Sequence, residues 1–176
     1  MDSSLNKLKE AVVNYYHDPD DETTQQALLQ LLQNNDFREI ISKCTGVNDI
    51  SNAFVLASDS YHPDIMQAFL DQGMNIDMNI EMGYTALITA SQNECEDSVR
   101  FLLDHNANAD IQNRDGYSAL MIASNYGCKE IVQLLLDHNA DIDLKNKDGE
   151  TALDLASSEE IKEMIQNHVN TSYVLK

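Results

Sequence analysis

Large aromatic side chains are scarce in this sequence. It has no tryptophan, and aromatic residues make up only 6% of its 176 residues, whereas hydrophobic residues make up 43%. A core is therefore feasible, but it must be largely aliphatic. The sequence also lacks an apolar run of about 18 residues, and its first residues contain no apolar run of signal-peptide length. We therefore expect neither a membrane span nor a signal peptide.

Basic residues are also few. The chain has 11 lysines and arginines against 30 acidic residues, and its formal net charge is −19. Such a surface repels phosphate backbones and anionic lipid headgroups, so we expect neither nucleic acid nor a membrane as a partner. A protein with a basic surface would be attracted, although a net charge of this sign also simply keeps a protein soluble.

The cysteines are few and odd in number, which fits a reducing compartment and predicts a cytoplasmic protein. Cys95 and Cys128, like His105 and His138, stand 33 residues apart. Equivalent residues of stacked helices lie about 8–10 Å apart, whereas zinc ligands lie within about 2.0–2.3 Å of one ion. Two such residues are therefore too far apart to bind one ion together. We expect no metal, no cofactor and no disulfide.

A ten-residue pattern occurs three times at a spacing of 33. Residues 82–91 read MGYTALITAS, residues 115–124 read DGYSALMIAS, and residues 148–157 read DGETALDLAS. A fourth, partial copy lies upstream, where AFLDQGMNID matches FLLDHNANAD. A catalytic site needs one copy, whereas a structural unit that cannot bury its apolar face alone has reason to recur.

Each copy predicts a turn and two helices. Glycine opens the unit because it adopts a positive φ without steric strain, and Thr85 or Ser118 then caps a short helix. Asn106 and Asn139 are suited to end the second helix in a left-handed conformation. The apolar stripe of that second helix has helical spacing in two copies: Val99, Leu102 and Leu103; Ile131, Val132, Leu135 and Leu136.

With this period and these caps, the sequence resembles the ankyrin-repeat family from residue 49 to about residue 166. The resemblance implies an all-α fold, a solenoid of stacked helix–turn–helix units joined by β-hairpin-like turns. The family signature T-P-L-H-x-A is altered at two positions in every copy. Ala86, Ala119 and Ala152 replace its proline, and Ile88, Met121 and Asp154 replace its histidine. We therefore expect the threonine–histidine hydrogen bonds to be missing and the repeats to be somewhat weaker.

The predicted domain organisation has three parts. Residues 1–48 form a helical cap or a degenerate repeat, and both alternatives remain open. Residues 49–170 form the ankyrin-repeat domain, and residues 171–176 form a flexible tail. The approximate repeats are 49–81, 82–114, 115–147 and 148–170, the last with a polar second helix typical of a terminal cap.

The resemblance also implies a function, because ankyrin-like proteins bind other proteins on a concave surface of turn tips and first helices. The tyrosines among the predicted surface residues suit binding hot spots, although Tyr84 and Tyr117 could instead pack across adjacent turns. These positions lie off the apolar stripe, so the fold is not expected to need them. The predicted partner-binding residues are Asp59, Ser60, Glu81, Met82, Tyr84, Gln92, Asn93, Arg114, Asp115, Tyr117, Asn125, Tyr126, Lys145, Lys147 and Glu150.

No Gly-rich phosphate loop, G-x-S-x-G elbow or H-E-x-x-H motif occurs in the sequence. The expected function is therefore a non-catalytic interaction module, an adaptor or inhibitor that acts as a monomer. One alternative is a host-directed effector of an intracellular bacterium, translocated into the host cell; another is an enzyme or metal protein. Residues 49–81 hold six acidic residues and no lysine or arginine, so this end should prefer a basic surface.

Overall fold

The computed structural model describes residues 2–33, 49–59 and 61–174, and these residues form ten α-helices. In chain order the helices are α1 (Asp2–His17), α2 (Glu22–Leu32), α3 (Asp49–Asp59), α4 (Pro63–Asp71), α5 (Ala86–Gln92), α6 (Glu96–Asp104), α7 (Ala119–Tyr126), α8 (Lys129–Asp137), α9 (Ala152–Leu155) and α10 (Glu159–Val174). The β-type pairing within these ranges is one isolated antiparallel bridge, between Asn79 and Thr85. The all-α prediction is confirmed.

The first helices α5, α7 and α9 each begin at a capping side chain. The hydroxyl of Thr85 accepts a hydrogen bond from the N–H of Ile88 (3.2 Å), and that of Ser118 accepts one from Met121 (3.4 Å). Both caps have an extended backbone, as capping residues do. The caps predicted from the sequence are thus present.

The second helices end in left-handed residues. Asn106 and Asn139 have φ values of 63° and 58°, and Gly73 has a φ of 84° after α4. Asparagine and glycine tolerate this conformation better than other residues, which is why they occupy these positions.

The helices stack in two rows. In the first row α3, α5, α7 and α9 pack against one another in order, and α6, α8 and α10 follow one another in the second. The two N-terminal helices extend both rows, because α1 packs against α3 and α2 packs against α4. Residues 2–33 therefore add a repeat-like helical pair. The remainder of the predicted cap, residues 34–48, lies outside the described residues.

Small side chains line the first row. Ala57, Ala90 and Ala123 occupy equivalent positions and are fully buried, so adjacent helices can approach closely. Around them the core of the repeats is aliphatic, as predicted. Among the described residues the fully buried aromatic side chains, Tyr15, Phe54 and Phe69, lie toward the N-terminal end, where the rings of Phe54 and Phe69 meet edge to face with centroids 6.1 Å apart.

Buried asparagines build the turns between the later repeats. The side-chain oxygen of Asn113 accepts hydrogen bonds from the N–H groups of Asp115 and Tyr117, each 3.0 Å long. Asn146 does the same in the next turn, with Asp148 and Glu150 as donors. Nothing in the repeat pattern had marked these asparagines as structural.

The turn between the first two repeats is built differently. Ile80 occupies the position equivalent to Asn113 and offers no side-chain acceptor. There Glu81–Gly83 form a single 3₁₀ turn in which Met82 takes a φ of 59°. Met82 is also 47% exposed, so a strained apolar residue stands at this turn tip.

In the last repeat the capping threonine still forms a side-chain hydrogen bond, although the sequence analysis expected the threonine–histidine bonds to be missing. The hydroxyl of Thr151 donates to the carboxylate of Asp154 (2.7 Å), and the N–H of Thr151 donates to the same oxygen (2.9 Å). The Thr151 hydroxyl also accepts from the N–H of Asp154, which completes a capping box. Asp154, in the place of the family histidine, therefore supplies the bond that was expected to be missing.

The C-terminal helix α10 is longer than predicted. It runs through residues 171–174, which the sequence assigned to a flexible tail, and no glycine or proline interrupts it.

Within the described ranges, none of the helices combines the length and the apolar character that crossing a bilayer would require.

Candidate functional site

The first-row helices and the turn tips form one continuous surface. The N–H of Arg114 donates to the carbonyl of Met82 (2.7 Å), and the N–H of Lys147 donates to the carbonyl of Asp115 (3.1 Å). Successive turn tips are therefore tied backbone to backbone, and their side chains project side by side. We call this surface the concave surface.

A cleft of about 210 Å³ lies in the middle of the concave surface. We call it the tyrosine cleft; it is lined by Tyr84, Gln92, Asn113, Asp115, Tyr117, Ile122, Asn125 and Tyr126. Six of these eight residues are among the predicted partner-binding residues, and the structure brings them together from two repeats. The sequence analysis missed the other two, Asn113 and Ile122.

The three tyrosines of this cleft differ in exposure. Tyr126 is 52% exposed, whereas Tyr84 and Tyr117 are half-buried and pack against the hydrophobic core. The expectation that the fold does not need these positions therefore fits Tyr126 but not Tyr84 and Tyr117. The latter two serve the packing of adjacent turns and still present one side to the cleft.

A second cleft, of about 410 Å³, lies between the first two repeats. We call it the acidic cleft; it is lined by Asn52, Val55, Leu56, Asp59, Ile80, Glu81 and Thr89. Asp59 and Glu81 were predicted from the sequence as surface residues. The others were missed because the cleft forms only where α3 meets the following turn, which residue spacing alone does not show.

The charge of the concave surface changes sign along the stack. The equivalent turn-tip position holds Glu81, then Arg114, then Lys147. The equivalent position on the first helices holds Asp59, then Gln92. In the described part of the chain the Lys147 ammonium lies 3.9 Å from an Asp115 carboxylate oxygen, while the side chain of Arg114 forms no ion pair.

Other predicted residues are engaged within the fold. The Asn93 amide donates to the carboxylate of Asp59, which links the ends of α5 and α3. The Glu150 carboxylate accepts from the amide of Asn146 (2.9 Å) in its own turn. The backbone carbonyl of Lys145 accepts from the Gln112 side chain (2.9 Å), and the residue remains exposed. The remaining predicted residue, Ser60, lies outside the described residues.

The surroundings of both described cysteines raise the pKa of the thiol. Burial, followed by the nearby charge of Asp59, raises the pKa of Cys95, whose sulfur donates to the Asp59 carbonyl (2.8 Å). Burial, followed by the charges of Glu94 and Glu130, raises the pKa of Cys128. A raised pKa disfavours the nucleophilic thiolate. Across the ranges that the structure covers, no three histidine, cysteine or acidic side chains are grouped to hold a metal ion, and the absence of metal stays a prediction.

Comparison with known families is consistent with this architecture. A family model described as ankyrin repeats (3 copies) matches residues 20–115, and one described as ankyrin repeats (many copies) matches residues 102–156. The first match covers more than half of the chain and extends into the N-terminal helical pair. A comparison with curated proteins finds no match.

Proposed function

We propose that this chain, which belongs to the ankyrin-repeat family, binds a protein partner on its concave surface and acts as a non-catalytic adaptor or inhibitor. Ankyrin repeats are generally protein–protein interaction modules and are typically non-catalytic. The observation that supports the location is the tyrosine cleft, which brings together six of the predicted partner-binding residues from two repeats.

The chemistry of the tyrosine cleft suits a protein partner better than a small substrate. Its volume of about 210 Å³ is below the roughly 300–1,000 Å³ typical of small-molecule pockets. Tyrosine offers a large apolar ring and a hydroxyl with little side-chain entropy to lose, and it is enriched at binding hot spots. Tyr84 and Tyr117 are already held by the core, so their rings are preorganised for contact.

The proposal extends to the setting in which the protein acts. We place it in the cytoplasm as a monomer, with a partner that carries a basic surface. The excess of acidic residues and the small number of cysteines support this setting.

The test begins with affinity capture by the full chain and identification of bound proteins by mass spectrometry. The dissociation constant of each candidate is then measured with Tyr126→Ala and with Gln133→Ala, a control on the exposed side of α8. We expect Tyr126→Ala to weaken binding about thirtyfold, the effect of a hot-spot truncation of about 2 kcal/mol, with an unchanged melting temperature. Gln133→Ala should bind normally. Weakened binding only with Gln133→Ala would place the interface on the second row instead.

A further inference from the structure

The acidic cleft has apolar walls and a carboxylate rim. Val55 is 4% exposed, and Leu56 and Ile80 are half-buried, so the walls are aliphatic. Asp59 and Glu81 line the same cleft. Its volume of about 410 Å³ lies within the range of about 300–1,000 Å³ for ligand pockets. The cleft is thus large enough to receive a side chain from another molecule.

Among the described residues, no lysine, arginine or histidine forms an ion pair with a carboxylate of the acidic cleft. In the described part of the chain the carboxylate of Glu81 forms no ion pair or hydrogen bond, and that of Asp59 accepts one bond from Asn93. Between residues 44 and 99 the sequence holds nine acidic residues and no lysine or arginine. A cation brought into the cleft would therefore meet carboxylates without a competing internal partner.

Thr89 provides a second indication. Its hydroxyl oxygen is buried at the cleft and has no hydrogen-bond partner in the ranges that the structure covers. Buried polar groups are normally paired, so an incoming donor would satisfy this oxygen. The equivalent residues in the adjacent repeats are Leu56 and Ile122, which shows that the fold does not require a hydroxyl here.

Building on the proposed function, we infer that the acidic cleft receives a basic side chain, arginine or lysine, from the protein partner. The aliphatic stem of such a side chain packs along Val55, Leu56 and Ile80, as the stems of lysine and arginine do on apolar surfaces. The charged end meets the carboxylates of Asp59 and Glu81, and one of its N–H groups donates to the Thr89 hydroxyl.

The cleft can be probed without knowing the partner. N-acetyl-arginine amide is titrated into the ¹⁵N-labelled full chain, and N-acetyl-citrulline amide serves as a neutral probe of nearly the same shape. We expect saturable changes in amide chemical shift at Val55, Ile80 and Thr89 with the arginine probe, and several-fold smaller changes with the citrulline probe. Equal shifts with both probes, or shifts spread over acidic residues outside the cleft, would overturn the inference.

Variants of the two carboxylates in the acidic cleft then test whether their charge binds the probe. Asp59→Asn keeps an acceptor for Asn93, and Glu81→Gln keeps the shape of the rim, so both should fold. Each should weaken binding of the arginine probe about twofold to fivefold, the effect of losing one exposed ion pair, and the double variant should weaken it further. Glu163→Gln, an exposed residue of α10, is the matched control and should bind normally.

Unchanged binding by the double variant would overturn the inference while leaving the concave-surface function intact. A different result would contradict that function, namely an affinity for the partner that does not change when the tyrosines of the tyrosine cleft are replaced.

Discussion

The N–H of Lys147 donates a 3.1 Å hydrogen bond to the carbonyl of Asp115, and this bond brings two successive turn tips into contact. The approach is so close that a methyl group on Gly116 would lie 2.8 Å from the Cα of Asn146. Gly116 has a φ of 85°, so it meets two demands at once. It turns the chain, and it leaves room for the next turn.

These two demands can be separated by experiment. Gly149 has almost the same φ of 83°, but a methyl group there would meet nothing within 4 Å. Gly149→Ala should therefore lower the free energy of unfolding by about 1–2 kcal/mol, the strain of holding alanine in the left-handed conformation. Gly116→Ala should lower it further, by about 1 kcal/mol or more, because backbone must move. Urea unfolding measures both, and equal losses would show that the turns do not pack as described.

The buried asparagines predict a second stability difference. Asn113→Ala and Asn146→Ala each leave two backbone N–H groups without their acceptor, so each should lower the free energy of unfolding by about 1–3 kcal/mol. Asn108→Ala is the control, because Asn108 is exposed and accepts one bond, from the N–H of Asp110 (3.0 Å). A loss at Asn108 as large as that at Asn113 would contradict this account.

Overpacking of the first row should be position-dependent. Ala90 and Ala123 are fully buried between neighbouring helices, so leucine at either position should lower the free energy of unfolding by about 1–3 kcal/mol. Ala156, the equivalent residue of the repeat at residues 148–170, is only half-buried. Ala156→Leu should therefore have less than half that effect in thermal unfolding. Similar midpoints for all three variants would argue against close stacking.

The capping box of the last repeat predicts a pH effect. Hydrogen bonds from the backbone and the hydroxyl of Thr151 lower the pKa of Asp154 from its ordinary value. The ionised carboxylate therefore favours the folded chain above the unfolded pKa of about 3.9, and this contribution is lost as the pH falls through the lower folded pKa. Carboxyl-carbon NMR titration should show the pKa of Asp154 rising toward its ordinary value in Thr151→Ala. An identical pKa in both proteins would rule out the capping box in solution.

Local chemistry made much of the fold predictable. Thr85 and Ser118 cap helices, and Asn106 and Asn139 end them, because each role depends on the residue's own side chain or backbone freedom. The period of 33 then indicated which helices would stack. These features required no knowledge of distant contacts.

The remaining features depend on contacts between segments. Asn113 was not recognised as a turn acceptor, because the same letters fit an ordinary exposed loop. The partial burial of Tyr84 and Tyr117 depends on how tightly neighbouring turns approach, and the acidic cleft exists only because Ile80 lies opposite α3. The turn tips and first helices of this surface were thus predicted through the family resemblance, whereas its two clefts were not.

The sequence of charges Glu81, Arg114 and Lys147 gives the concave surface a polarity. The backbone bonds between turn tips hold these residues in a fixed order. An extended segment with a basic end and an acidic end matches this order in one orientation. Turned around, it would place like charges together at both ends, and like-charge juxtaposition disfavours a complex. We therefore expect the surface to favour one direction of an extended segment bound along it.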